Sequence, residues 1–162
     1  MASPKFTSRS YYDAAREHLG LAARLREEGE HFAAHYFAGI AVESILRSLC
    51  VKDGGSADRT HDITHWAAKA NLMFDSSINQ QDNYRAQISE LNLRWRANHR
   101  YCTAKMLDTW LHEIDLDGRV GGDRTKNNSD QVLRRVKISS ERMLELSNAI
   151  VSIGVQRWNK KS

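Results

Sequence analysis

A chain of 162 residues is long enough to bury a hydrophobic core without disulfides or structural metals, and it is most simply a single domain spanning residues 1–162. Its 41% hydrophobic and 27% charged residues are typical of a globular protein and argue against intrinsic disorder. The net charge of +4 permits a phosphate-rich partner without requiring one.

Features of membrane or exported proteins are missing from the sequence. No apolar run approaches the ~18 residues that a membrane-spanning helix needs, and the opening residues MASPKFTSRS contain no apolar signal segment. Cys50 and Cys102 lie far apart and form no metal-ligand pattern, so we expect two reduced thiols. Together these features predict a cytoplasmic protein.

Hydrophobic spacing in the first third of the chain predicts two long helices. The first should begin near Ser10, which can act as its cap, and should break near Gly29. The second, HFAAHYFAGIAVESILRSLCVK, is apolar around much of its circumference and should end at Gly54 and Gly55. A helix of this kind is expected at the centre of a bundle.

The rest of the chain predicts four further helices and no strand. Thr60 is expected to cap a short helix, and a third long helix should run from about Asn79 to Asn98. A short amphipathic helix, TAKMLDTWLHEI, then precedes a glycine-rich loop over 115–128, which we expect to be mobile. The last helix should run from Ser129 to about Trp158. The prediction is an all-α antiparallel bundle of four long and two short helices, with frayed tails at 1–9 and 159–162.

The order of these pieces resembles the HEPN domain, an all-helical family of prokaryotic toxins, defence proteins and nucleotidyltransferase partners. The resemblance lies in HYFAGIAVESILRSL, in HDITHW and in LNLRWRANHRY, and it extends over roughly residues 10–158. Glu43 resembles the family's acidic position in the second helix. Trp95, Arg100 and Tyr101 resemble the W…RY ending of the third helix. The resemblance implies a four- or five-helix bundle that usually forms a homodimer.

Arg94 and His99 match the R-x4-6-H motif that many HEPN endoribonucleases carry. The resemblance implies that His99 takes the proton of an RNA 2′-hydroxyl while Arg94 stabilises charge on the phosphate, with no metal and no cofactor. Three other Arg–His pairs have this spacing, but only Arg94 and His99 lie where the family places its motif. The expected RNA contacts around them are Glu43, Arg96, Asn98, Arg100 and Tyr101.

The geometry of a helix leaves a second interpretation open. Five residues at ~100° each place Arg94 and His99 about 140° apart around one helix. The two side chains converge only if the helix ends near Asn98 or if a partner subunit supplies the opposing side. Otherwise Trp95 packs in the core, His99 covers it and the arginines are solvated.

Other polar residues in the helices have a structural and a functional interpretation. Glu43 lies in the apolar second helix, so it should bond to an arginine or tyrosine of a neighbouring helix or line the same cleft as Arg94 and His99. His61 and His65 have the spacing of zinc ligands, but they lack a third ligand nearby, and we predict no metal site.

Two main functions follow from the resemblance. The first is a dimeric, metal-independent endoribonuclease of a toxin–antitoxin or phage-defence system. The second is a noncatalytic HEPN module that pairs with a nucleotidyltransferase-type partner such as an antitoxin, or that binds a nucleotide. A structural homodimer without a ligand is a third, plainer alternative.

Overall fold

The protein is an all-α bundle in its computed structural model, which describes residues 6–56, 59–72, 78–113 and 129–160. The helices are α1 (Ser8–Glu27), α2 (His31–Lys52), α3 (Ile63–Lys69), α4 (Ile78–Arg94), α5 (Ala104–Glu113) and α6 (Ser129–Lys160), and a 3-10 turn spans Ala97–Tyr101. Within these ranges there is no β-strand. The predicted fold class, with four long and two short helices, is confirmed.

α1 begins at Ser8, two residues before the predicted start, because Thr7 is its cap. The Thr7 hydroxyl accepts a hydrogen bond from the Ser10 N–H at 3.1 Å, and the Ser10 hydroxyl lies 3.4 Å from the Thr7 N–H, which donates to it. Ser10 is therefore the second member of a capping box. Gly29, at a φ of +83°, provides the left-handed residue that separates α1 from α2.

α2 is the central helix, as its apolar circumference predicts. It contacts α1, α3, α6 and the 3-10 turn. Most of its buried apolar residues belong to a hydrophobic core cluster that also includes side chains of α1, α3, α4 and α6. A smaller cluster of Leu107, Leu111 and Val136 packs α5 against α6. The short helix α5 is thus held by its own apolar contacts at one end of the bundle.

The boundaries of α3 and α6 differ from the predicted ones. Asp62, not Thr60, caps α3: its Oδ1 accepts from the N–H groups of Thr64 and His65 at 2.8 and 3.1 Å. α6 continues to Lys160, beyond Trp158, whose ring stacks on Tyr12 at 4.3 Å between centroids. The predicted glycine-rich loop at 115–128 lies outside the described residues. None of the described helices combines the length and the apolar character needed to cross a bilayer.

Candidate functional site

The C-terminal end of α4 is closed by side chains from three parts of the chain. The carbonyl oxygen of Asn92 accepts from Arg96 Nη1, that of Leu93 from Trp110 Nε1 at 3.4 Å, and that of Arg94 from His35 Nε2 at 3.0 Å. Because α4 ends here, these carbonyl oxygens have no backbone N–H donor within the helix. α4 therefore ends at Arg94 and not at Asn98 as predicted, because the surrounding side chains satisfy its last turn.

Beyond this end the chain turns sharply, which moves His99 off the helix. Arg96 adopts an extended conformation, with a φ of −137°, before the 3-10 turn begins. Arg94 and His99 therefore do not lie on one continuous helix, and the expected separation of about 140° around a helix axis does not apply to them. Both residues instead lie next to the buried His35 of α2, whose ring centroid is 5.9 Å from that of His99.

His35 is fully buried between α2, α4 and α6. Its Nε2 donates to the Arg94 carbonyl, and its Nδ1 lies 3.5 Å from the Ser139 hydroxyl of α6, which can donate to it. Burial, with a smaller contribution from the nearby His99 and Arg94, lowers the pKa of His35 to about 3. The imidazole is thus neutral at pH 7, with its one proton on Nε2.

The Arg94 guanidinium lies inside the bundle. Only 5% of the residue is exposed, its Nε donates to Glu90 Oε1 at 2.8 Å, and its Nη1 donates to the Ser139 hydroxyl at 3.3 Å. Arg142 of α6 donates to both oxygens of the same Glu90, at 3.0 and 2.7 Å. Arg94 therefore belongs to an ionic network between α4 and α6.

His99 is 3% exposed and lies in the wall of a pocket. The backbone N–H of Arg96 donates to its Nδ1 at 3.3 Å, which leaves the proton of the neutral ring on Nε2. Burial, followed by the positive charge of Arg96, lowers the pKa of His99 to about 4. At neutral pH this histidine is uncharged.

The pocket beside His99 has a volume of about 440 Å³ and lies between the 3-10 turn and α5. Arg96, Asn98, Trp110 and Glu113 also line it. The Arg96 guanidinium carbon is 5.5 Å from the Trp110 ring centroid, and the His99 ring meets the Trp110 ring edge-on at 6.2 Å. The guanidinium that shares this pocket with His99 is thus that of Arg96, whereas Arg94 is not among the lining residues.

The other predicted RNA contacts are distributed over two regions. Arg100 and Tyr101 are exposed residues of the 3-10 turn but do not line the pocket, and the Arg100 guanidinium lies 4.7 Å from the Tyr101 ring centroid. Glu43, on α2, is 6% exposed and bonds to Arg47 of its own helix at 2.6 Å and to His61 at 3.0 Å. Glu43 is not a lining residue of the pocket. Its partners differ from the neighbouring-helix residues predicted from the sequence.

The spacing of His61 and His65 does not place them on one helical face. α3 starts at Ile63, so His61 precedes the helix and pairs with Glu43 instead. Among the residues that the structure describes, no cluster of three or more His, Cys, Asp and Glu side chains could hold a metal ion.

The residues at this site that were not singled out from the sequence include Glu90, Trp110 and Ser139. Trp110 lies in a short helix with an amphipathic pattern, and the sequence gives no reason to distinguish it from an ordinary core residue. Ser139 is one of several small residues along α6. Only the packing of α5 and α6 against the end of α4 reveals their role.

Comparison with known families supports a single assignment. A family model described as HEPN domain matches residues 8–138, which include α1 to α5, the 3-10 turn and the first part of α6. No curated protein and no solved structure matches the chain. The match contains every residue of the pocket.

Proposed function

Because this chain belongs to the HEPN domain family, we propose that it is a metal-independent endoribonuclease of a toxin–antitoxin or phage-defence system that acts as a homodimer. The family includes ribonucleases and nucleotidyltransferase partners. The observation that supports the ribonuclease most directly is the position of His99: a neutral imidazole in the wall of a pocket, beside the guanidinium of Arg96.

In the proposed reaction, His99 takes the proton of an RNA 2′-hydroxyl as O2′ attacks the adjacent phosphorus. The bond from phosphorus to the 5′-oxygen breaks, the 5′-oxygen takes up a proton, and a 2′,3′-cyclic phosphate remains. A neutral histidine can act as this base, but here its Nδ1 already accepts from the Arg96 N–H. The tautomer that frees Nε2 for the substrate carries its proton on Nδ1, facing the Arg96 N–H, so the ring or the turn has to shift and this 3.3 Å bond is lost.

We propose Arg96 as the group that contacts the phosphate, and Arg94 as a residue that holds the site together. Arg96 already lines the pocket. Arg94 would have to give up its bonds to Glu90 and Ser139 to reach a phosphate. Its predicted catalytic role stays a prediction, as do the RNA contacts of Glu43, Asn98, Arg100 and Tyr101.

The test is incubation of purified protein with total RNA in a chelator, comparing the wild type with His99→Ala and with His65→Ala. His65 is an exposed histidine on α3, away from the pocket, and serves as the matched control. We expect His99→Ala to lower the cleavage rate by about 100-fold or more, the usual contribution of a general base. His65→Ala should cut like the wild type. Cleavage by His99→Ala at the parental rate would refute the ribonuclease.

A noncatalytic HEPN module that pairs with a nucleotidyltransferase-type protein is the second candidate. The engagement of the Arg94 guanidinium by Glu90 and Ser139 favours it, because this arginine of the motif is not available to a substrate. Stable co-purification with such a protein, without cleavage of any RNA offered, would support this candidate. Light scattering of the isolated chain tests the homodimer in both cases.

A further inference from the structure

The pocket beside His99 has the size and the walls of a site for one nucleotide. Its volume of about 440 Å³ falls in the range of small-ligand pockets, about 300–1,000 Å³. Trp110 and Arg96 contribute an indole and a guanidinium, the two kinds of planar group on which unstacked nucleobases pack. We infer that this pocket takes one unstacked nucleobase of the RNA strand, with Trp110 as its stacking surface; the assignment to RNA rests on the proposed ribonuclease.

Trp110 is held in place before any ligand arrives. Its Nε1 donates to the Leu93 carbonyl, and the ring packs against the cluster of Leu107, Leu111 and Val136. A base that stacks here does not have to order the side chain, so little of the stacking energy is lost to conformational entropy. The surface is also joined to the end of α4, which fixes its distance from His99.

The polar residues that line the pocket suit different parts of a nucleotide. Glu113 carries only acceptor oxygens and repels a phosphate, whereas the N–H groups on the edge of a base can donate to it. Asn98 adds an amide that both donates and accepts. Arg96 provides the positive charge next to His99. A nucleotide bound here has a base-stacking surface in Trp110, a positive charge for its phosphate in Arg96, and hydrogen-bonding groups for the edge of its base in Asn98 and Glu113.

Equilibrium binding in a chelator tests this inference without any cleavage. The probes are 2′-O-methyl oligoribonucleotides of ten A, ten C or ten U, a ten-residue abasic ribose-phosphate strand and the four free nucleoside monophosphates. The proteins are the wild type, Trp110→Leu, Trp110→Phe and the control Tyr84→Leu. Tyr84 is partly buried on α4, as Trp110 is on α5, but it does not line the pocket. Leucine keeps the apolar packing of position 110 and removes the aromatic face.

We expect the wild type to bind at least one base-bearing decamer more tightly than the abasic strand. Trp110→Leu should lose about fivefold or more of that affinity, the usual effect of removing one base–aromatic stack, and should bind the abasic strand as before. Trp110→Phe should retain most of the affinity, and Tyr84→Leu all of it. Thermal melts of each variant show whether it is folded.

Three results would overturn the inference. These are equal affinity of the wild type for base-bearing and abasic strands, full affinity in Trp110→Leu, and no binding of any strand. A free monophosphate that binds as tightly as the decamers would assign the pocket to a free nucleotide instead of an RNA strand. Binding through Trp110 without cleavage would refute only the catalytic proposal. Cleavage of RNA with equal affinity for the abasic strand would refute only the base pocket.

Discussion

Arg94 and Arg96 stand two positions apart and have different surroundings. Arg94 is buried in the network with Glu90 and Ser139, while Arg96 lies in the pocket wall. Hydrogen bonds from Arg142, and then from Arg94, hold the pKa of Glu90 below its usual range, against the effect of its partial burial. The first arginine therefore ties α4 to α6, and the second faces the space where a ligand would bind.

Replacing Arg94 should mainly destabilise the fold. In Arg94→Ala, Glu90 and Ser139 lose a donor in a poorly solvated place, so we expect the free energy of unfolding to fall by about 1–3 kcal/mol. Arg100→Ala is the control, because Arg100 is exposed and rests on the exposed Tyr101 ring; its effect should stay within about 0.5 kcal/mol. Urea denaturation measures the free energy of unfolding of both variants. Equal stability of the two variants would place Arg94 outside the network.

At the scale of elements, the chain just beyond α4 packs against α2 at a glycine. A Cβ added at Gly39 would lie 2.1 Å from Cδ1 of Trp95, which is 1% exposed and whose Nε1 donates to the Tyr36 carbonyl at 3.1 Å. The indole cannot move away without giving up this hydrogen bond. The absence of a side chain at Gly39 thus sets the position of the end of α4, and with it the position of the 3-10 turn and the pocket.

Two glycine-to-alanine substitutions should have opposite effects. Gly39→Ala is expected to lower the free energy of unfolding by about 1–3 kcal/mol, because the new methyl group collides with a rigid ring in a packed core. Gly20→Ala meets nothing within 4 Å in the middle of α1, and should raise the free energy of unfolding by about 0.5–1 kcal/mol. Chemical denaturation at one pH compares them. A neutral or stabilising Gly39→Ala would mean that α2 and α4 can separate at low cost.

For the whole molecule, burial of uncharged histidines makes stability depend on pH. The pKa values of His35 and His99 are lowered to about 3 and about 4, so the unfolded chain binds protons at these positions that the folded chain excludes. The two neutral histidines contribute fully to the free energy of unfolding at pH values above their pKa in the unfolded chain, which is near 6.5. This contribution is lost as the pH falls toward the folded-state pKa values of about 4 for His99 and about 3 for His35. The lowered pKa of Glu90 acts in the same direction once the pH falls below the normal value of 4.5 for a glutamate.

We therefore expect the free energy of unfolding to be nearly constant from pH 8 to 7 and to fall steadily from pH 6.5 to 4. Urea titrations at half-unit intervals measure the slope. His35→Gln keeps an N–H donor for the Arg94 carbonyl but cannot be protonated in the unfolded chain, so its slope should be smaller than that of the wild type. The slope is informative even if the variant is less stable at every pH. Identical slopes would show that His35 makes no contribution to the pH dependence.

The sequence by itself determined the helical elements, and it predicted the region of the candidate site. Spacing of apolar residues is a local property, so it located the six helices found in the described parts of the chain and identified α2 as central. The dense group of basic and aromatic residues from Arg94 to Tyr101 stood where the HEPN resemblance places its motif, and the family match includes it. That residues 1–162 form one domain stays a prediction.

Only the tertiary structure decided how α4 ends and which side chains share the pocket. The carbonyls of Leu93 and Arg94 are satisfied by Trp110 and His35, which are 17 and 59 positions away along the chain. No local pattern encodes such pairings, since they depend on how α2 and α5 pack around α4. For the same reason the sequence could not tell that Arg94 would be buried while Arg96 would line a pocket.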